Sequence, residues 1–275
     1  MPELPEVETV VRGLRAGKLP GRRICDARVF WPRSVQDLPP VAFCRRLRGL
    51  RVTALARRGK YVVMHLSDGA ALLVHLRMTG RLSLVDSYAP RDPHEHVVLN
   101  LDDGRDLRFR DPRKFGRWLL TGTPQLQFDR LGPEPLDPAF TFERFAGLLQ
   151  ARAGMLKPLL LNQAFIAGLG NIYADEALWL ARLHPQRSAA SLTVAEQRRL
   201  YRAIRAVLRS GIAAAGTSLG TGGANFYGVS GRSGRNQERL KVFRRSGAPC
   251  PRCRTSIVRL TITQRSTHIC PRCQE

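Results

Sequence analysis

An α+β fold, with an antiparallel β-sandwich first, helices next and a metal-tied hairpin last, is what three features of this sequence predict. Between about residues 22 and 120 the apolar residues alternate or form short β-branched runs, at 51–58, 60–66, 71–76 and 97–101, with Asp68-Gly69 and Asp103-Gly104 as hairpin turns. Beyond the proline-punctuated stretch Gly132-Pro133-Glu134-Pro135-Leu136-Asp137-Pro138 the apolar period becomes helical. Near the end stand Cys250, Cys253, Cys270 and Cys273, two Cys-x2-Cys pairs sixteen residues apart.

In chain order, residues 5–17 read as a helix edging the sheet, with Val7, Val10, Val11 and Leu14 on one face and Gly17 as the stop. The strands follow as a sandwich or barrel. The segments 141–151, 171–180 and 194–215 read as amphipathic helices, and 216–235, rich in Gly, Ser and Asn, as a loop. Ile257 to Ile262 looks like a strand of the terminal hairpin. The expected division is a β-sandwich catalytic domain at 1–131, a linker at 132–139, a helical DNA-binding domain at 140–236 and a four-Cys ribbon at 237–275.

The cysteine spacing is that of a zinc ribbon, in which one Zn2+ replaces the core that so short a module cannot bury. Disulfides are the poorer reading, because the acidic, proline-containing N-terminus does not resemble a secretion signal. Cys25 and Cys44 have no partner spacing and are expected to be buried thiols. His94 and His96 flank Glu95, but no further ligands cluster nearby. No apolar run approaches the roughly 18 residues of a membrane helix, so no membrane partner is expected and the cytoplasm is the expected location.

Lys+Arg number 45 against Asp+Glu 22, a formal net charge of +23, spread along the chain. The excess reads as a folded surface for a polyanion, with nucleic acid the default. Forty of the 45 are arginine, which is also what the composition bias of a GC-rich genome would give.

The chain starts Met1-Pro2-Glu3-Leu4-Pro5-Glu6-Val7-Glu8. Loss of Met1 would leave Pro2 as a free secondary amine. With a pKa near ~8 against ~10.4 for lysine, such an amine is far more often uncharged at neutral pH. Its adduct with a sugar C1′ is an iminium that stays cationic without a proton. Pro5 and the acids also suit an ordinary helix start.

Pro-Glu-Leu-Pro-Glu-Val-Glu-Thr, together with the cysteine quartet, resembles the formamidopyrimidine-DNA glycosylase family, and the resemblance runs over nearly the whole chain. It implies a bacterial base-excision repair enzyme, a DNA glycosylase and abasic-site lyase. Such an enzyme flips oxidised purines (8-oxoguanine, formamidopyrimidines) out of double-stranded DNA and cleaves the strand by β,δ-elimination through a Schiff base at Pro2. It further implies a helix-two-turns-helix entered at Gly168-Leu169-Gly170-Asn171, a monomer, and association with the nucleoid. Glu3 would be the proton donor, and Glu6, one helical turn on, would orient the amine or shuttle protons. Lys60 would contact phosphate and aid β-elimination. Arg265 would clamp phosphate and donate the proton for δ-elimination. Met78, Arg113 and Phe115, the last two within Asp111-Pro112-Arg113-Lys114-Phe115-Gly116, would fill the gap left by the flipped base. His94, Arg152 and Asn171 would contact DNA. A helix terminus should lower the Pro2 amine's pKa and two carboxylates raise it; the sequence leaves that contest open.

The alternatives are an endonuclease VIII-like glycosylase for oxidised pyrimidines and a non-catalytic zinc-ribbon DNA-binding protein. The former branch usually has glycine where Leu4 stands, and the latter does not account for Pro2-Glu3. Residues 220–237 depart from the family pattern, a glycine-rich stretch with Phe226-Tyr227 early in it, which bears on which base is accepted.

Overall fold

A computed structural model describes residues 1–220 and 225–275. The loop expected at 216–235 therefore lies partly outside the described residues. Two compact units form, Met1–Asp129 with Ala214–Arg235, and Arg130–Ala213 with Asn236–Glu275.

The first unit starts with α1 (Leu4–Ala16), whose Val7, Val10, Val11 and Leu14 are fully buried, as their spacing predicts. Glu3 and Glu6 form a reciprocal capping box at its start. Then come β1 (Ile24–Val29), β2 (Val35–Gln36), α2 (Pro40–Leu47), β3 (Val52–Arg58), β4 (Tyr61–Leu66), β5 (Ala71–His75), β6 (Arg81–Asp86), β7 (Glu95–Leu101), β8 (Arg105–Arg110), β9 (Arg117–Thr121) and α3 (Pro124–Phe128). Among the described residues they make two sheets, ordered β1-β7-β8-β6 and β2-β9-β5-β4-β3. All pairings are antiparallel except the two-residue β2–β9 pair. The turns at Asp68-Gly69 and Asp103-Gly104 have φ of +83° and +77° at the glycine, which explains that residue there.

The inner faces share one core with α1, including Leu72, Val74, Leu82, Leu99, Phe109 and Trp118. Each such side chain contributes on the order of 1.5–3 kcal/mol by leaving water. Phe226 and Val229 join this same core, so the return segment Ala214–Arg235 packs with the sheets rather than with the helices that precede it in sequence. β8 is buried on both faces: Leu107 and Phe109 enter the core, and Asp106 and Arg108 are buried on the other side. Arg108 is buried against Asp106 (2.9 Å) and Glu95 (3.4 Å) and donates to the Ala89 and Pro90 carbonyls. The two unassigned cysteines are not the buried pair expected. Cys25 is exposed on β1 and Cys44 half-buried on α2, where burial raises its pKa.

The second unit holds α4 (Phe142–Gln150), α5 (Leu156–Leu161), α6 (Asn171–Ala181), α7 (Val194–Ala213) and the hairpin β10 (Val258–Ile262)–β11 (Arg265–Ile269). Thr141 caps α4 by accepting from the Arg144 N–H at 3.3 Å. Phe140, Phe145, Phe165 and Tyr201 interlock between α4 and α7. The stretch read as a linker is packed here: the Gly132 N–H donates to the Gln163 carbonyl at 2.8 Å and the Ala167 N–H to the Pro133 carbonyl at 3.1 Å. No described helix is long and apolar enough to cross a membrane.

Phe109 is the floor on which two loops of the first unit close. A Cβ on Gly116 would lie 2.2 Å from Phe109 Cζ, closer than any real contact. Gly116→Ala is expected to lower stability by about 1–3 kcal/mol through overpacking, read as a lower urea midpoint; an unchanged midpoint would show that the loops do not close on this ring.

Candidate active site

The chain start is folded inward. Pro2, Glu3 and Glu6 are buried. Glu6 Oε2 accepts the Glu3 N–H at 2.8 Å, and its Oε1 accepts the Thr217 N–H at 2.7 Å. Gly216, beside Thr217, has φ +82°, and a Cβ there would meet Glu6 Cγ and Phe226 Cε1 at 3.0 Å each, so the return segment comes close over the helix start. The terminal amine, carried by Met1, is held below its ordinary value of 8.0. Burial is the largest cause; Glu3 and Glu6 push upward, and Lys60 and Arg113 add to the lowering. For this Met1 amine desolvation outweighs the two carboxylates, and it was not among the two effects weighed for Pro2 in the sequence.

Lys60 reaches this cluster from the two-residue turn between β3 and β4, where Arg58 pairs with Tyr61 and Gly59 has φ +54°. That turn is braced from α1. Glu8 holds Arg57 (3.2 Å), and Arg57 donates to the Gly59 carbonyl (3.1 Å). Burial pushes the Glu8 carboxyl up, but Arg12 and Arg57 together bring it below the usual carboxylate range. His75, on β5 opposite Tyr61 and in edge contact with its ring (4.9 Å), is pushed down to about 3 by burial first and then by Arg77 and Lys60. It is therefore neutral at physiological pH, and its Nδ1 accepts the Arg77 N–H at 3.0 Å.

Two loops of the same unit present Met78 and Arg113–Phe115. Met78 is 37% exposed and Phe115 46%, unusual for large apolar side chains. The Arg113 guanidinium lies over the Phe115 ring at 4.9 Å. One fully buried carboxylate joins the loops: Asp111 accepts from the Thr79 hydroxyl and, at 2.7 Å, from the Gly116 N–H. His94 is exposed, and its carbonyl accepts the Asp111 N–H at 2.9 Å. His96 donates its Nε2–H to the Asp111 carbonyl (3.0 Å), and burial lowers its pKa.

The second unit carries Asn171, Arg152, Arg265 and the cysteines. Asn171 opens α6, and its Nδ2 donates to the Ser266 carbonyl at 2.9 Å. Arg265 is exposed just past the β10–β11 turn, where Thr263 and Gln264 both have positive φ. Beneath that turn lies a buried network. Lys157 Nζ contacts Asp175 (2.5 Å), the Thr267 hydroxyl (2.8 Å) and the Ser266 carbonyl (3.0 Å), and Asp175 also accepts the His268 N–H (2.9 Å). Arg152 is exposed beyond α4 and is the most isolated of the candidates. The structure thus gathers Pro2, Glu3, Glu6 and Lys60, groups Met78 with Arg113 and Phe115 through Asp111, and ties Asn171 to the segment bearing Arg265. Sequence reading missed Asp111, Thr217, Arg57, Lys157 and Asp175. Asp111 and Arg57 each carried a signal, as the first residue of a short stretch around a candidate, and Asp175 stands four residues after Asn171.

The Sγ atoms of Cys250, Cys253, Cys270 and Cys273 all lie within 4.8 Å of one another. Tetrahedral zinc, with Zn–S near ~2.3 Å, needs sulfurs about 3.8 Å apart, so the four residues fit one ion. The thiols also need a cation. Cys253 is lowered to about 6, first by the Thr255 hydrogen bond, while burial and the neighbouring sulfurs push Cys273 up to about 12. Four thiolates this close require compensating charge. Cys270→Ser is expected to give substoichiometric zinc by metal analysis and a proteolytic cut within residues 247–275; full zinc content would contradict the site.

Residues 1–118 match the profile of the formamidopyrimidine-DNA glycosylase N-terminal domain, residues 131–222 that of its H2TH domain, and residues 247–275 that of a zinc finger found in FPG and IleRS. A formamidopyrimidine-DNA glycosylase of Herpetosiphon aurantiacus is 49% identical over 266 residues, covering 95% of each chain. Wild-type Lactococcus lactis Fpg (MutM), solved with N7-benzyl-Fapy-dG containing DNA, matches over 100% of both chains with a TM-score of 0.91 and 35% identity. A MutM solved with carbocyclic 8-oxo-G containing DNA gives the same coverage, score and identity. Three domain profiles in this order, near-half identity to a full-length relative and a fold match over the whole chain lead to one assignment: the chain belongs to the formamidopyrimidine-DNA glycosylase family, DNA glycosylases and abasic-site lyases of base-excision repair, with one structural zinc.

Proposed function

We propose that the enzyme excises oxidised purines, 8-oxoguanine and formamidopyrimidines, from double-stranded DNA through a Schiff base at Pro2. The observation that carries this reading is the buried chain start, an amine held below its ordinary value beside two carboxylates and Lys60. Removal of Met1 transfers that role to the Pro2 nitrogen. The related proteins solved with Fapy-dG and 8-oxo-G DNA supply the substrate class.

The steps follow from the groups present. The neutral Pro2 nitrogen attacks C1′, and the bond from C1′ to the base breaks with its electrons leaving on the base. Glu3 supplies the proton that the departing base or the opening sugar oxygen requires. Glu6 accepts hydrogen bonds that fix the helix start, and so orients the amine and can relay its proton. The cationic iminium then draws electrons as the C2′ proton leaves and the 3′ phosphate departs, with Lys60 as the adjacent cation. Loss of the 5′ phosphate follows in the same sense, with Arg265 as clamp and proton donor. Met78, Arg113 and Phe115 occupy the vacated stack, and His94, Arg152 and Asn171 hold phosphates. Zinc supplies no step; bound by four cysteines, it keeps the hairpin folded so that Arg265 has a fixed support. The net charge of +23 suits a duplex partner and predicts steep salt dependence. The proposed location is the bacterial cytoplasm, where a DNA substrate lies, and the proposed working state is a monomer.

Borohydride reduction on a duplex bearing an abasic site should trap a covalent adduct that peptide mapping places on residue 2, and Pro2→Ser should abolish it. An adduct on a lysine would overturn the scheme. A lowered amine pKa enlarges the neutral fraction at any given pH, so the trapping rate should reach half its maximum below pH 8.0; a midpoint at or above that value would refute the role given to burial. A panel of oxidised purine and pyrimidine duplexes separates the purine reading from an endonuclease VIII-like preference.

A further inference from the structure

We propose that Arg81, backed by Arg110 and Tyr227, reads the flipped base and selects one with carbonyl oxygens on both edges of its purine skeleton. The inference rests on the base-flipping reading above and adds the groups that recognise the base.

Arg81 opens β6 and Arg110 closes β8, and the two are directly paired across the antiparallel ladder. Like charges in such a pair destabilise a sheet. Arg110 has Asp92 as a partner at 2.8 Å. Among the described residues no carboxylate pairs with Arg81, and its Nε is buried with no acceptor. Its guanidinium lies 5.0 Å from the centre of the Tyr227 ring. A buried donor without an acceptor is unfavourable in the folded state alone. Burial first, and Arg110 second, disfavour the charged form of Arg81. Folding therefore gives no reason for two guanidiniums at this place, whereas an acceptor-rich ligand does.

The space beside them fits such a ligand. Thr79, Arg81, Arg110, Pro112, Phe226 and Tyr227 are among the residues that line a pocket of about 440 Å³, within the range of small-molecule sites. Thr79 follows Met78 and Pro112 precedes Arg113, so one wall is continuous with the loops that fill the stack. On the other side Phe226 approaches Gly216, whose neighbour Thr217 holds Glu6. All of this lies in the first unit. The pocket is therefore bounded by the gap-filling loops on one side and by the partners of the nucleophile cluster on the other, where a base attached to an attacked C1′ must go.

The chemistry selects the ligand. A guanidinium fork donates in its plane to neighbouring acceptors, as arginine does to the O6/N7 edge of guanine. In an oxidised guanine that nitrogen carries a hydrogen, and a carbonyl is added at the former C8, or a formamide oxygen after ring opening; the acceptors are then O6 and the new oxygen, one for each of two guanidiniums. Tyr227 offers a flat face for the ring. Two fixed positive groups also stabilise the negative charge that gathers on the base as its bond to C1′ breaks.

The test is single-turnover excision from 8-oxoguanine and formamidopyrimidine duplexes, set against strand cleavage at a preformed abasic site, which has no base to read. Arg81→Gln should lower the ratio of excision to abasic cleavage at least tenfold. Arg81→Lys should restore it only in part, since an ammonium lacks the planar fork. Tyr227→Ala should also lower the ratio. A ratio unchanged in Arg81→Gln, or equal losses in both reactions by folded Arg81→Gln and Arg81→Lys proteins, overturns the proposal. Failure of the Pro2 scheme is a different result, absence of a trapped residue-2 adduct in the unaltered enzyme. The ratio reads the base and not the nucleophile, so it decides the Arg81 role in either case.

Discussion

The first unit depends on what the Glu6 carboxylate holds. It receives one N–H from Glu3, at the start of the chain, and another from Thr217, more than two hundred residues later. A carboxylate with two backbone donors is stable where an unpaired one would be costly to bury. The first bond fixes the chain start against α1. The second fixes the return segment above it, with Gly216 placed where a side chain would strike Glu6 itself. The terminal amine beside this bridge is buried, and burial shifts its proton equilibrium towards the neutral form.

The same device recurs at each place where the protein must hold a loop. Asp111 joins the loops of Met78 and Phe115. Asp175 joins α5 to β11 through Lys157 and His268. Glu176 accepts the N–H groups of Lys241, Val242 and Phe243; burial pushes its pKa up although those three donors pull it down. A chain with only 22 acidic residues against 45 basic ones keeps several of its acids inside as struts. The surface is left correspondingly cationic. Charge excess and internal architecture are two sides of one distribution.

Much of this was legible in the sequence, and the limits have physical causes. The α1 face, the hairpin turns at Gly69 and Gly104 and the cysteine quartet could be read because local spacing determines each of them. In β8 the alternation of Leu107 and Phe109 with charges suggests a solvent face, yet Asp106 and Arg108 are buried and satisfy each other, which only the tertiary structure reveals. Cys25 was misjudged because a β-strand shows every second residue to solvent, and pairing decides which face that is. The direction of the amine's shift follows from burial of the chain start, which depends on tertiary packing that no local pattern encodes. Arg81 was invisible for the same reason: in a chain with 40 arginines only its register opposite Arg110 marks it out.

The cysteine quartet and the candidate DNA-contacting residues of the second unit are linked through one helix face. Asn171, Asp175 and Trp179 stand at i, i+4 and i+8 of α6, nearly in line along its axis. Each meets a different part of the terminal module. Trp179 packs with Cys250 and Cys270 in a small apolar cluster, while Arg252 from the first knuckle lies over its ring at 4.3 Å and donates to its carbonyl. Asp175 holds the His268 N–H in mid-hairpin, and Asn171 holds the Ser266 carbonyl beside the turn. A helix is stiff over this length, roughly 12 Å. The metal end therefore sets the register of the whole hairpin against α6, and with it the spacing between Asn171 and the strand that starts at Arg265. The turn itself could not do this alone, since Thr263 sits at φ +44°, a conformation that a β-branched residue keeps only when its surroundings impose it. A zinc ion held by the four cysteines would thus act mechanically, through three side-chain contacts on one rigid face.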